Sequence, residues 1–162
     1  MQINDWSLRT YAPAEMKTGF GWIHAKPACS MAPVAVTVDE LGDCWERSRI
    51  TARLRVDVNR ILFGNVPATE MLFGFDELIA HAARTRELCA GTVIGSGTVS
   101  SRGFRETGSC CIAERRAIET IEHGAPRTEF LRFEDRVCMT TQAGTELHSP
   151  FGVIDQRVVR AK

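Results

Sequence analysis

Apolar and polar positions alternate most clearly between Ile50 and Asn59. Leu54, Val56 and Val58 fall on one face, and Arg53, Arg55, Asp57 and Asn59 on the other. Period two with β-branched residues predicts a half-buried strand. Asn59-Arg60 is a turn that leads into a second strand, Ile61–Gly64. Upstream, residues 1–49 are rich in Gly, Pro and short apolar runs. Val34-Ala35-Val36-Thr37-Val38 follows Pro33 and predicts a short strand. Asp39–Asp43 then forms a turn or a single helical turn.

The pattern changes to a helical period at Phe75–Leu88. Leu78, Ile79, Ala82 and Ala83 make an apolar stripe, with Arg84 and Arg86 outside it. Asp76 is placed to cap the start, the two arginines suit the C-terminal end, and Gly91 ends the segment. Thr92–Val99 predicts a strand running into a glycine-rich bend. A second helix spans Cys110 or Cys111 to Glu122. Ile112, Ala113, Ala117, Ile118 and Ile121 supply its apolar face, and Gly124 stops it. Phe133–Thr141 and Phe151–Arg160 predict late strands. Short strands with two inserted helices predict an α+β or mainly-β chain, not a doubly wound α/β sheet.

Composition narrows the function classes. A length of 162 residues suits one domain, residues 1–162. Lys plus Arg number 20 and Asp plus Glu number 20. That balance gives no broad pull toward nucleic acid or an anionic membrane. No apolar run approaches the ~18 residues of a bilayer span. The first residues carry no secretory signal, so a cytoplasmic location is expected. Cys29, Cys44, Cys89, Cys110, Cys111 and Cys138 are scattered, without a C-x-x-C pair. They are expected to be reduced and mostly buried, and a thiolate zinc site lacks its spacing.

Candidate chemistry comes from five segments. They are Asn4-Asp5-Trp6-Ser7-Leu8-Arg9; the loop Gly19–Lys26 through Pro33; Phe75–His81; Ala90–Ser100 with its G-T-V-S bend; and Gly152–Gln156. In that order they resemble the fumarylacetoacetate hydrolase family across essentially the whole chain. Ser109-Cys110-Cys111-Ile112-Ala113-Glu114 is similar to the Ser-Cys-Ile-Ala-Glu stretch of its bacterial fumarylacetoacetases. The resemblance implies the α+β, β-dominated C-terminal domain of that family: a mixed sandwich or roll, incomplete here, with two main helices. It also implies hydrolysis of a carbon–carbon bond in a β-diketo acid, with fumarylacetoacetate of tyrosine breakdown as the substrate.

The resemblance further implies a divalent cation, magnesium, calcium or manganese, bound by carboxylates and by the diketo oxygens. It would polarise the carbonyl and stabilise the departing enolate. Asp5 matches the metal-ligating aspartate. Arg9 matches an arginine that binds substrate or stabilises the oxyanion. Lys26 matches the loop lysine near the metal and leaving group, and Ser30 the hydroxyl of the cation-binding loop. Thr98 matches a hydroxyl on a substrate carboxylate. Glu114 resembles the glutamate of a water-activating Glu–His pair. Without the resemblance each has a plain reading: Asp5 as a turn or cap residue, Arg9 and Lys26 as solvated cations, Ser30 as a loop hydroxyl, Thr98 as a strand end, Glu114 as an exposed helix carboxylate.

The family's Glu-x-Glu ligands, a further aspartate and its catalytic histidine precede the N-D-W-S run. This sequence contains no Glu-x-Glu, and His24, His81, His123 and His148 are not at the matching position. The expectation is therefore half of a cation pocket, weak metal binding and little hydrolysis by this polypeptide alone, and sheet edges left open. A complementing N-terminal chain would restore the site, and a homodimer is expected by resemblance. The competing expectation is a non-catalytic binding or assembly protein, or a truncated inactive fragment, that keeps the fold.

Overall fold

The computed structural model describes residues 1–144 and 149–161. The elements in chain order are β1 (Ile3–Asn4), α1 (Ala12–Met16), β2 (Ser30–Met31), β3 (Trp45–Glu46), β4 (Arg49–Ile50), β5 (Arg53–Val58), β6 (Ile61–Pro67), α2 (Phe75–Ala82), α3 (Phe104–Thr107), α4 (Ile112–His123), β7 (Arg136–Gln142) and β8 (Val153–Arg157). The chain is α+β and β-dominated, as expected. Its centre is a four-stranded antiparallel sheet in the order β6-β5-β7-β8, accompanied by two short ribbons, β1-β2 and β3-β4.

The alternation in β5 sets the core. Val56 pairs with Met139, and Met139 with Ile154, so one buried row crosses three strands. Ala32 and Phe151 close over that row. On the opposite face Arg55 grips Asp57 through Nε and Nη2, at 2.7 and 2.6 Å. The β5–β6 hairpin turns through Asn59 and Arg60, both with positive φ (52° and 68°). A two-residue turn of this kind matches the strand twist. Asn59 also reaches β7: its Nδ2 donates to Asp135 Oδ1 at 2.8 Å, and its Oδ1 accepts the Arg136 N–H.

The helix α4 fits its predicted span within two residues, and Gly124 ends it in the left-handed conformation (φ 81°). Its start is tied to the sheet by a close backbone approach. Gly64 of β6 bridges Gly108, and a Cβ at Gly64 would lie 2.2 Å from the Ser109 carbonyl oxygen.

Five expectations are corrected. Val34–Val38 forms no strand; among the described residues only its Val34 N–H is tied across, to the Phe151 carbonyl at 3.1 Å, so the run lacks a ladder. Thr92–Val99 is also irregular: among the described residues no neighbouring strand supplies its backbone partners, and Gly97 turns with φ 80°. The helix predicted to Leu88 ends at Ala82, tightens into a 3-10 turn over Ala83–Thr85, and becomes extended at Arg86. Beyond Ala82, exposed Arg84, Thr85 and Arg86 offer no apolar face to bury. Its N-cap is Gly74, not Asp76, and the Glu77 carboxylate accepts the Gly74 N–H at 2.8 Å. Finally, the cysteines are less buried than expected: Cys29 and Cys89 are exposed, and the other four are half-buried.

The surface is large for the mass. The chain exposes 11443 Å², whereas a folded monomer of this size exposes about 8,000 Å². Phe20, Ile121 and Ile23 are 96%, 85% and 78% exposed. Among the described residues no helix is long and apolar enough to cross a membrane.

Candidate active site

Three distant segments meet at the β1-β2 ribbon. Asn4 pairs with Ser30, and Ile3 with Met31. The ribbon is clipped to β8 by side chains: Asn4 Nδ2 donates to Gln156 Oε1 at 3.3 Å, and Gln156 Nε2 donates to Ser30 Oγ at 2.6 Å. Beneath it, Thr141 Oγ1 of β7 donates to Gln2 Oε1 at 2.7 Å, in a buried contact. The N-terminal run, the lysine loop and the closing Gly152–Gln156 segment are thus one cluster.

Asp5 follows directly on β1. Lys26 Nζ lies 2.8 Å from Asp5 Oδ1 and donates to the Asp5 carbonyl at 3.1 Å. The lysine side chain is 29% exposed and the aspartate 67%, so the pair faces solvent from one side. Trp6 Nε1 donates to the Ala28 carbonyl, and Leu8 N–H to the Ala25 carbonyl at 2.9 Å. These bonds run the N-D-W-S segment alongside the lysine loop.

The lysine loop has a second anchor. Both oxygens of Glu15 on α1 accept backbone N–H groups: Ile23 at 3.1 Å, His24 at 2.7 Å and Ala25 at 3.0 Å. The Ala25 N–H leads in holding the Glu15 carboxyl below its ordinary range, helped by the N–H groups of His24 and Ile23. Glu15 and Gln156 were not singled out from the sequence. Gln156 lies inside a motif already noted, but Glu15 carries no local signal, because its partners are backbone groups eight to ten residues away.

The remaining candidates stand apart from this pair. Arg9 is exposed and has no ion-pair partner among the described residues. Thr98 is exposed in an irregular segment. Glu114, in the first turn of α4, accepts a short hydrogen bond from Ser109 Oγ, which in turn accepts the Cys111 N–H at 3.1 Å. Ser109 is 1% exposed. Glu114 therefore secures the start of α4 through a buried hydroxyl. No hydrogen bond joins Glu114 or Thr98 to Asp5 or Lys26. The His24 ring lies tilted against Tyr11, with ring centroids 6.0 Å apart; His148 lies outside the described residues.

The cluster offers fewer oxygens than a hard divalent cation takes. Calcium or magnesium takes six or more oxygens, usually from several carboxylates and carbonyls or from water. Here one carboxylate, Asp5, stands in the cluster, and it is already paired with Lys26. Ser30 Oγ is taken up by Gln156. Among the described residues no three His, Cys, Asp or Glu side chains gather at one point. These residues by themselves do not fit such an ion. What they do offer is a fixed ammonium held against one carboxylate, with an exposed guanidinium, Arg9, further along the same N-terminal segment.

Comparison with known proteins adds the family. No curated protein matches the chain. The family model described as "Fumarylacetoacetate (FAA) hydrolase C-terminal" matches residues 1–159. With the N-D-W-S run, the lysine loop and the closing strand brought together in space, and with this match along nearly the full length, the chain belongs to the fumarylacetoacetate hydrolase C-terminal domain family.

Proposed function

We propose that this chain supplies the lysine–aspartate half of a hydrolase site that cleaves a carbon–carbon bond of a β-diketo acid, with fumarylacetoacetate as the substrate and fumarate and acetoacetate as products. The observation that carries this reading is the Asp5–Lys26 pair, held where three separate family-like segments converge. In such a reaction water adds to a carbonyl carbon, the adjacent carbon–carbon bond breaks, and its electron pair leaves as an enolate that is then protonated. Negative charge grows on oxygen, and preorganised cations favour that growth. Lys26 is the preorganised cation here. Arg9 is free to take a substrate carboxylate through its planar fork.

A divalent metal would belong to the completed site only, with Asp5 as one ligand and the other oxygens supplied by the complementing polypeptide. Glu114 is reassigned: its tie to Ser109 supports an anchoring role for α4 rather than water activation. All six cysteines are free, which suits a reducing, cytoplasmic setting. The test is loss of fumarylacetoacetate absorbance with magnesium, calcium or manganese, on the chain alone and with a polypeptide bearing the family's Glu-x-Glu segment. Cleavage only in the second arm is expected. Cleavage in neither arm overturns the hydrolase reading, and cleavage by the chain alone overturns the shared site.

A second reading, an assembly or binding protein, is favoured by one observation. The exposed surface exceeds that of a typical monomer by roughly 3,400 Å², more than one partner's share, about 1,000–2,500 Å², of a large obligate interface. A second copy of the chain is the simplest occupant.

A further inference from the structure

We propose that Glu15 is the positioning residue for Lys26: its carboxylate gathers the N–H groups of Ile23, His24 and Ala25 and so holds the lysine's backbone where its ammonium meets Asp5. The proposal deepens the reading of the Asp5–Lys26 pair as a site and rests on it.

The geometry is that of a clasp closed on both sides. Ala25, the residue before Lys26, is 0% exposed. Its N–H is held by Glu15 Oε2 and its carbonyl by the Leu8 N–H. Lys26 is followed by Pro27, whose ring restricts the lysine backbone to extended conformations. The lysine is therefore fixed at Cα from both neighbours, and only its side chain remains to be placed. Nζ then reaches two oxygens of Asp5. Without the clasp, residues 19–24 would be a glycine-bearing exposed loop, with Gly19 and Gly21 at positive φ and open space where a Cβ on either would lie. Such a segment opens easily, and the order lost would be that of Lys26.

Glu15 itself is placed by α1. Pro13 opens that helix, buried Ala12 anchors it, and the Glu15 carbonyl accepts both the Thr18 N–H and its hydroxyl. The charged and titratable groups facing the clasp are His24, whose positive form also favours the ionised carboxylate, and Tyr11 beside the His24 ring. A carboxylate is needed, because three donors converge on two oxygens. Glu15→Gln keeps the size but presents an amide NH₂ in place of one acceptor.

The chain has three lysines, Lys17, Lys26 and Lys162, so acylation mapped by mass spectrometry reads Lys26 against exposed Lys17 as an internal reference. In the native chain, acetic anhydride is expected to modify Lys26 about threefold or more slowly than Lys17, because the Lys26 ammonium is mostly covered and tied to two oxygens of Asp5, whereas Lys17 is exposed. In Glu15→Gln the two rates should converge. Amide exchange at residues 23–25 should quicken about tenfold or more while the β5 and β7 amides keep their protection. Unchanged Lys26 reactivity and unchanged exchange at 23–25 would overturn the proposal, and so would uniform acceleration across the sheet. Should the variant fail to fold, the native chain answers by NMR. The Ile23, His24 and Ala25 amide resonances should shift together on acidification, with one midpoint below the ordinary Glu value of 4.5. Separate midpoints, or a shared one at or above that value, would refute the clasp. Neither readout uses a substrate, so a failed hydrolysis assay leaves this result standing.

Discussion

Lys26 Nζ stands 2.8 Å from Asp5 Oδ1 and also donates to the Asp5 carbonyl, so one ammonium joins two segments twenty-one residues apart. The contact is open to solvent on the aspartate side. That openness separates its effect on stability from its effect on chemistry.

Asp5→Asn should lower stability by less than about 1 kcal/mol, since exposed ion pairs contribute little. Thermal unfolding followed by circular dichroism checks this. In the complemented hydrolysis assay the same variant should lose activity at least about a hundredfold, a loss of roughly 3 kcal/mol in transition-state stabilisation. Arg9→Ala should leave the melting temperature unchanged, because the guanidinium has no partner among the described residues, and should raise KM for an anionic substrate.

Gly64→Ala should destabilise the chain by about 1–3 kcal/mol, the usual cost of forcing atoms into a filled space. The new Cβ would meet the Ser109 carbonyl at 2.2 Å, and that contact is backbone on backbone, so neither side can rotate away. Denaturant unfolding measures the loss. The conservative control is Gly95→Ala, which has open space at its Cβ and no positive φ.

Glu119 should titrate near pH 2. The Thr128 hydroxyl, then the Thr128 N–H, lower its carboxyl from 4.5 to about 2, and the Arg127 N–H also donates. A depressed carboxyl contributes stability that is complete above the unfolded value. The contribution then fades as pH falls from 4.5 through about 2. Thr128→Ala should raise the midpoint toward 4.5, read by carboxyl carbon NMR, while the ordering of the 127–130 segment against α4 weakens.

Cysteine reactivity should split by burial. Burial pushes the Cys110 thiol up to about 12, so it should resist alkylation at pH 8. Cys29 and Cys89 are exposed and should react first. Timed iodoacetamide labelling with peptide mapping decides the order, and early modification of Cys110 would contradict its packing against the core and β5.

Much of the architecture was legible in short-range pattern. The alternation of Leu54, Val56 and Val58 already contained β5, and the Asn59-Arg60 turn already contained the hairpin, because strand faces and two-residue turns are local properties. The helix α4 was legible for the same reason: its apolar positions and Gly124 lie within one element. The segments at Val34–Val38 and Thr92–Val99 show the limit. Both have strand-forming residues, yet a strand exists only when a neighbour completes its hydrogen-bond ladder, and among the described residues Val34–Val38 has a single cross-link to Phe151 and Thr92–Val99 has no strand beside it.

The candidate site divides along the same line. Asp5, Lys26 and Ser30 could be named from motif alone, since chemistry-bearing side chains keep their order along the chain. That Gln156 bridges Asn4 to Ser30, that Glu15 collects three amides, and that Glu114 serves Ser109 could not be read from the linear order. Each of those bonds joins groups brought together by packing or by loop closure, and hydrogen bonds are directional. Only the folded backbone decides which donor meets which acceptor.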